Sequence, residues 1–110
     1  LPPTYTRSSS AAPAKVLPED YAYASVEELV ATMRPAEPVH CLRPATITKA
    51  AKWFLKEFPG DALFAVKTNP DPRVLRLLSK AGVTHYDVAS LAEVALVSQT
   101  VPGAKMFFMH

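Results

Sequence analysis

Apolar positions along this chain change their period several times, and each change marks a predicted element. Val26, Leu29, Val30 and Met33 recur at helical spacing behind Ser25-Val26-Glu27-Glu28, which has the S-x-x-E form of a capping box. A helix is therefore predicted from Val26 to Arg34, stopped by Pro35. Pro38 to Pro44 reads as a short strand between prolines. Ile47, Ala50, Ala51, Phe54, Leu55 and Phe58 then make one stripe of a helix, with Lys49, Lys52, Lys56 and Glu57 largely on the other side. Trp53 flanks that stripe and is expected in the core. Pro59-Gly60 ends the helix.

The next stretch, Ala62-Leu63-Phe64-Ala65-Val66, is an apolar run between Gly60-Asp61 and Asn69-Pro70-Asp71-Pro72. It reads as a short strand buried on both faces, as in parallel sheets. From there a unit repeats. Asp71-Pro72 is a helix start, Val74, Leu75, Leu77, Leu78 and Ala81 give its buried face, and Gly82 closes it. His85 to Ala89 is a second strand, Ser90-Leu91-Ala92-Glu93 a second capping box, and Lys105 to Met109 a third strand ending on His110. Strands recur about every 20 residues, the spacing of βαβ units, so an α/β fold with parallel strands is predicted.

Composition narrows the class without naming a chemistry. With 110 residues, 49% apolar and 20% charged, the chain is one globular domain at most. A net charge of +2, with basic residues scattered, argues against nucleic acid. The single cysteine, Cys41, excludes an internal disulfide framework and fits a reducing compartment. No apolar run approaches the roughly 18 residues that span a bilayer, and no secretion signal opens the chain, so the cytoplasm is the expected location. His40 and Cys41 are adjacent, so a strand would point them to opposite faces; they read as packing residues, and no metal site is expected. Residues 1–20 hold little to bury and are expected to be a flexible arm. Tyr5, Tyr21 or Tyr23 could instead dock on a partner subunit. Residues 21–37 follow as a short helical lead-in.

Candidate chemistry gathers at the strand ends. Lys67, then Asp87 to Ser90, then His110 fall at the C-terminal ends of the three predicted strands, the rim where parallel α/β folds build their sites. Lys67 has two readings. Its stem can cover apolar surface while its ammonium reaches water, or its amine can react with a carbonyl.

Phe64-Ala65-Val66-Lys67-Thr68-Asn69-Pro70-Asp71-Pro72 and Tyr86-Asp87-Val88-Ala89-Ser90-Leu91-Ala92-Glu93 together resemble the pyridoxal-phosphate-dependent ornithine decarboxylases. These belong to the alanine-racemase-like group (fold type III), with the diaminopimelate and arginine decarboxylases. The Asn-Pro-Asp-Pro and Asp-Val-Ala-Ser wording is nearer the bacterial ornithine or lysine/ornithine branch. The resemblance implies that residues 38–110 are the first strands and helices of a pyridoxal-phosphate-binding (β/α)8 (TIM) barrel. It makes Lys67 the Schiff-base lysine and Asp87 a carboxylate close to that lysine and the cofactor. Ser90, Glu93 and His110 fall at family positions near the cofactor, although the capping box also accounts for Ser90 and Glu93, and His110 could be a solvated rim residue. Thr68 stands where relatives often carry another small residue, with little consequence expected, and Thr84-His85-Tyr86 replaces the usual Gly-Phe before the Asp.

By the same resemblance the function would be decarboxylation of a basic amino acid, most closely L-ornithine to putrescine in polyamine biosynthesis, by a homodimer. The alternatives are a diaminopimelate, arginine or lysine decarboxylase, or a non-catalytic homologue that binds a regulatory partner, as antizyme inhibitors do. The family's phosphate loop, pyridine-nitrogen partner and cross-subunit cysteine find no match, and Cys41 lies in the wrong context for the last. A barrel needs about eight units over roughly 250 residues, so the chain is expected to be the N-terminal portion of a larger protein and inactive alone.

Overall fold

The computed structural model describes residues 22–109. The arm expected over residues 1–20, with Tyr5, and also Tyr21 and His110 lie outside the described residues. The chain divides between Cys41 and Leu42 into two units, each described by itself.

In the first unit, α1 spans Val26–Met33 and is opened by the predicted capping box. Ser25 Oγ accepts the Glu28 N–H at 3.1 Å, and the Glu28 carboxylate accepts the Ala24 N–H at 2.7 Å. Arg34 closes the helix in the left-handed region, at φ 45°, donating its N–H to the Val30 carbonyl.

No strand forms between Pro38 and Pro44, which corrects the sequence reading. Prolines at both ends remove ladder donors, and Pro44 serves instead as the first residue of a helix, where its missing N–H leaves nothing unpaired. His40 and Cys41 are exposed rather than packed.

The second unit begins with that helix, α2, Pro44–Glu57. Ala51 is buried and Ile47 and Leu55 are half-buried, as the stripe predicts. Phe54 and Phe58 stack on each other, with ring centroids 5.1 Å apart, yet each keeps a little under half of its surface exposed. Trp53 is 64% exposed, not a core residue. It lies one helical turn from both Lys49 and Lys56, and so shares their side of the helix.

α2 packs on α3, Pro72–Ala81, and α3 packs on α4, Leu91–Thr100. Asp71 caps α3 by accepting the Arg73 N–H at 2.8 Å, and the Arg73 guanidinium grips the same carboxylate at 2.7 Å. The Arg73 side chain, ahead of the other groups around it, holds the Asp71 carboxyl below its ordinary 3.8. At the other end Gly82 takes φ 113°, and its N–H meets the Leu78 and Ser79 carbonyls. A side chain there would be strained, and its Cβ would stand 3.4 Å from Leu55 Cδ1.

Three parallel strands lie in the order β1-β2-β3: Leu63–Ala65, His85–Asp87 and Lys105–Phe107. Their register makes three rows: Leu63/His85/Lys105, Phe64/Tyr86/Met106 and Ala65/Asp87/Phe107. The middle row faces the helices. Tyr86 is wholly buried among Leu75, Leu78 and Val97, with Phe64 and Met106 packed on the same core. Its hydroxyl donates to the Val83 carbonyl at 3.0 Å, and desolvation pushes its phenol pKa up. The two outer rows share the other face, where Leu63, Lys105 and Phe107 are exposed. The expectation of a strand buried on both faces is therefore corrected for β1, because among the described residues of this unit the helices pack on one side of the sheet. The strands are also shorter than their apolar runs suggest. Val66, wholly buried, has already left β1 to begin a 3-10 turn.

Replacing Asp71 with Ala removes both cap and ion pair and should lower stability by about 1 kcal/mol at neutral pH. The folded-state pKa of Asp71 is depressed, so its contribution is present above the unfolded value of 3.8 and is lost as pH falls through the lower folded value. Urea titrations of wild type and Asp71→Ala at neutral and strongly acidic pH should show the gap closing in acid.

Candidate functional site

Parallel pairing places the C-terminal ends of all three strands on one edge of the sheet. Ala65, Asp87 and Phe107 form the last row, and the Val88 N–H extends the ladder to the Phe107 carbonyl at 2.9 Å. Every segment that leaves a strand passes this edge, and two of the predicted site residues arrive there by that route.

Lys67 is the first of them. It does not end a strand, as predicted, but sits in the middle of the 3-10 turn Val66–Thr68 that follows β1. Val66 fixes the inner side of the turn by complete burial. On the outer side the Thr68 hydroxyl donates to the Ala65 carbonyl at 2.6 Å, reaching back over Lys67 to the last residue of β1. Asn69 donates its N–H to the Val66 carbonyl, and its side-chain oxygen accepts the Asp71 N–H at 3.2 Å, tying the turn to the α3 cap. Lys67 itself is exposed and makes no hydrogen bond or ion pair among the described residues. Its backbone is held on both sides while its amine is left available.

Asp87 is the second. It closes β2 opposite Ala65, and its side chain is half-buried. Its Oδ1 is fully buried with no hydrogen-bond partner among the described residues. A carboxylate oxygen withdrawn from water without a donor is costly, so this atom fits a donor that a bound group would bring.

Ser90 and Glu93 follow Asp87 directly in the chain and bond to each other. Ser90 Oγ accepts the Glu93 N–H at 3.1 Å, opening α4, and donates to Glu93 Oε2 at 3.2 Å. Glu93 Oε1 accepts the Ala89 N–H at 3.3 Å. Both oxygens of Glu93 are thus engaged in a capping box that pins the turn leading from Asp87 into α4. The arrangement makes them supports of that turn. His110 lies outside the described residues.

Thr68 is the residue whose part the sequence reading missed. A hydroxyl one residue after a strand-end lysine, followed by Asn-Pro, signals a local side-chain-to-backbone turn. Among the described residues no group of His, Cys, Asp and Glu could hold a metal ion, and no helix is long and apolar enough to cross a membrane. An apolar cleft of about 260 Å³ lies between α2, β1 and α3, lined by Phe54, Leu55, Leu63 and Leu78 among others. It is lined by no ionisable side chain, and Ala65 is the residue it shares with the C-terminal edge of the sheet.

A family model described as the pyridoxal-binding domain of pyridoxal-dependent decarboxylases matches residues 44–110, well over half the chain. The chain belongs to this family. Its cofactor is pyridoxal phosphate, and the matched segment includes α2, all three strands and both Lys67 and Asp87. No curated protein and no solved structure matches the chain.

Replacing Ser90 with Ala should cost about 1 kcal/mol of stability, and Ser90→Asp, which keeps an N-cap acceptor, should cost less than half of that. Urea midpoints of the two variants check the order.

Proposed function

We propose that this chain carries the cofactor-bonding lysine of a decarboxylase acting on a basic amino acid, with L-ornithine as substrate and putrescine as product. One observation carries the reading. Among the described residues Lys67 has no side-chain partner, and it follows the strand paired with the one that ends in Asp87, whose Oδ1 is buried without a donor. Pyridoxal phosphate, when bound, supplies an aldehyde and an electron-accepting ring. Lys67 supplies the amine that bonds the aldehyde carbon, which an arginine cannot do, because its guanidinium stays charged and planar. Asp87 would supply, through Oδ1, a hydrogen-bond acceptor for a donor on the bound group. Ser90 and Glu93 contribute by holding the turn after Asp87 in place.

Ornithine is favoured within the family by the Asn69-Pro70-Asp71-Pro72 and Asp87-Val88-Ala89-Ser90 wording. With this reading go a (β/α)8 barrel built on these strands, a homodimeric full-length protein and a cytoplasmic location, which the free, exposed Cys41 suits.

The test has two parts. Borohydride reduction with pyridoxal phosphate, then intact-mass measurement and peptide mapping, should give one pyridoxyl group on Lys67 in the wild type and none there in Lys67→Arg. Adducts spread over surface lysines would contradict the assignment. With the full-length protein, carbon dioxide should be released faster from ornithine than from lysine, arginine or diaminopimelate. Preference for another of these would keep the lysine's role and replace the substrate.

A further inference from the structure

We propose that Thr68 is a positioning residue for Lys67, and that its hydroxyl sets how readily the Lys67 amine bonds a carbonyl compound. This inference rests on the reading of Lys67 as the cofactor-bonding lysine. A lysine side chain has a long flexible stem, so its amine can be placed only as well as its backbone is held. At Lys67, besides the Asn69 bonds, two residues do the holding. Val66 is anchored in the core. Thr68, which is exposed and could satisfy its hydroxyl with water, donates instead to the Ala65 carbonyl at 2.6 Å, a short bond for a hydroxyl donor. That bond spans three residues with Lys67 inside the loop, and its acceptor is the β1 residue paired with Asp87. The hydroxyl therefore fastens the Lys67 turn to the row of the sheet that carries Asp87. An alanine at this position would leave the turn to its backbone bonds alone, and a valine would match the shape without the donor.

The step concerned is a condensation. The neutral Lys67 nitrogen adds to the aldehyde carbon, a C=N bond replaces C=O, and the aldehyde oxygen leaves as water with two protons from the amine; nothing is oxidised or reduced. Pre-organisation of the nitrogen favours it by reducing the freedom lost on bonding.

The experiment titrates the full chain with pyridoxal phosphate, following the visible absorbance of the C=N link, with borohydride reduction and peptide mapping to locate it. Thr68→Val should lower the equilibrium constant at Lys67 by about three- to tenfold, because bonding must then order a turn the hydroxyl had already ordered, and Thr68→Ser should stay within about twofold of wild type. Gly82→Ala, which strains the far end of α3, should destabilise the fold yet leave the constant unchanged, separating positioning from general loss of stability. Thr68→Val bonding as tightly as wild type, or Thr68→Ser losing as much as the valine, would overturn the inference while leaving Lys67 its role. Should Thr68→Val fail to fold, the serine variant still decides, since it must keep the wild-type constant. A wild type that takes no pyridoxyl group at Lys67 would overturn the underlying reading and this inference with it.

Discussion

Parallel pairing of three very short strands is the constraint on which the rest of this structure depends. Each strand contributes three residues, so the sheet has only three rows, and the last of them joins Ala65, Asp87 and Phe107. Parallel strands need a crossover between them, and α3 and α4 provide it, burying Leu75, Leu78 and Val97 against the Tyr86 row. One consequence is geometric. All chain exits lie on one edge, so the turn bearing Lys67 and the turn following Asp87 become neighbours although they are 20 residues apart in sequence. The other consequence is energetic. Within the second unit the described helices pack on one face, so its core is thin, and end caps at Ser25, Asp71 and Ser90 fix the starts of three helices by short-range hydrogen bonds.

Much of this architecture was legible in the residues because its signals are local. The capping boxes at Ser25 and Ser90, the Asp71-Pro72 start and the Gly82 stop each state a backbone requirement within four residues, and each falls where the sequence places it. The errors arose where long-range context decides. Pro38 to Pro44 has the apolar content of a strand but no ladder to join. Trp53 has the bulk of a core residue but the helical phase of its lysine neighbours. The run from Ala62 to Val66 has the composition of a strand buried on both faces, yet burial depends on how many layers surround it, and β1 has one.

The candidate site was legible in part. Lys67 and Asp87 stand at one edge because βαβ alternation puts strand ends there, and that alternation is visible in the hydrophobic periods. The 3-10 turn was not visible, since Val66 continues the apolar run while its backbone has already turned. Nor was the lone buried oxygen of Asp87, a property of packing that no motif encodes. Ser90 and Glu93 illustrate the opposite case. Their positions invite a cofactor role, while the hydrogen bonds they make among the described residues hold the start of α4. Membership of the pyridoxal-dependent decarboxylases gives the chain its cofactor, and by our proposal that cofactor is held by the Lys67 amine and the Asp87 carboxylate.

A crystal structure of the full chain grown with pyridoxal phosphate tests this account most directly. The account predicts a covalent bond from Lys67 Nζ to the cofactor, with Asp87 Oδ1 within about 3.2 Å of a donor on the bonded nitrogen or the cofactor. A cofactor bound elsewhere, with Lys67 unbonded and Asp87 Oδ1 still without a donor, would contradict it.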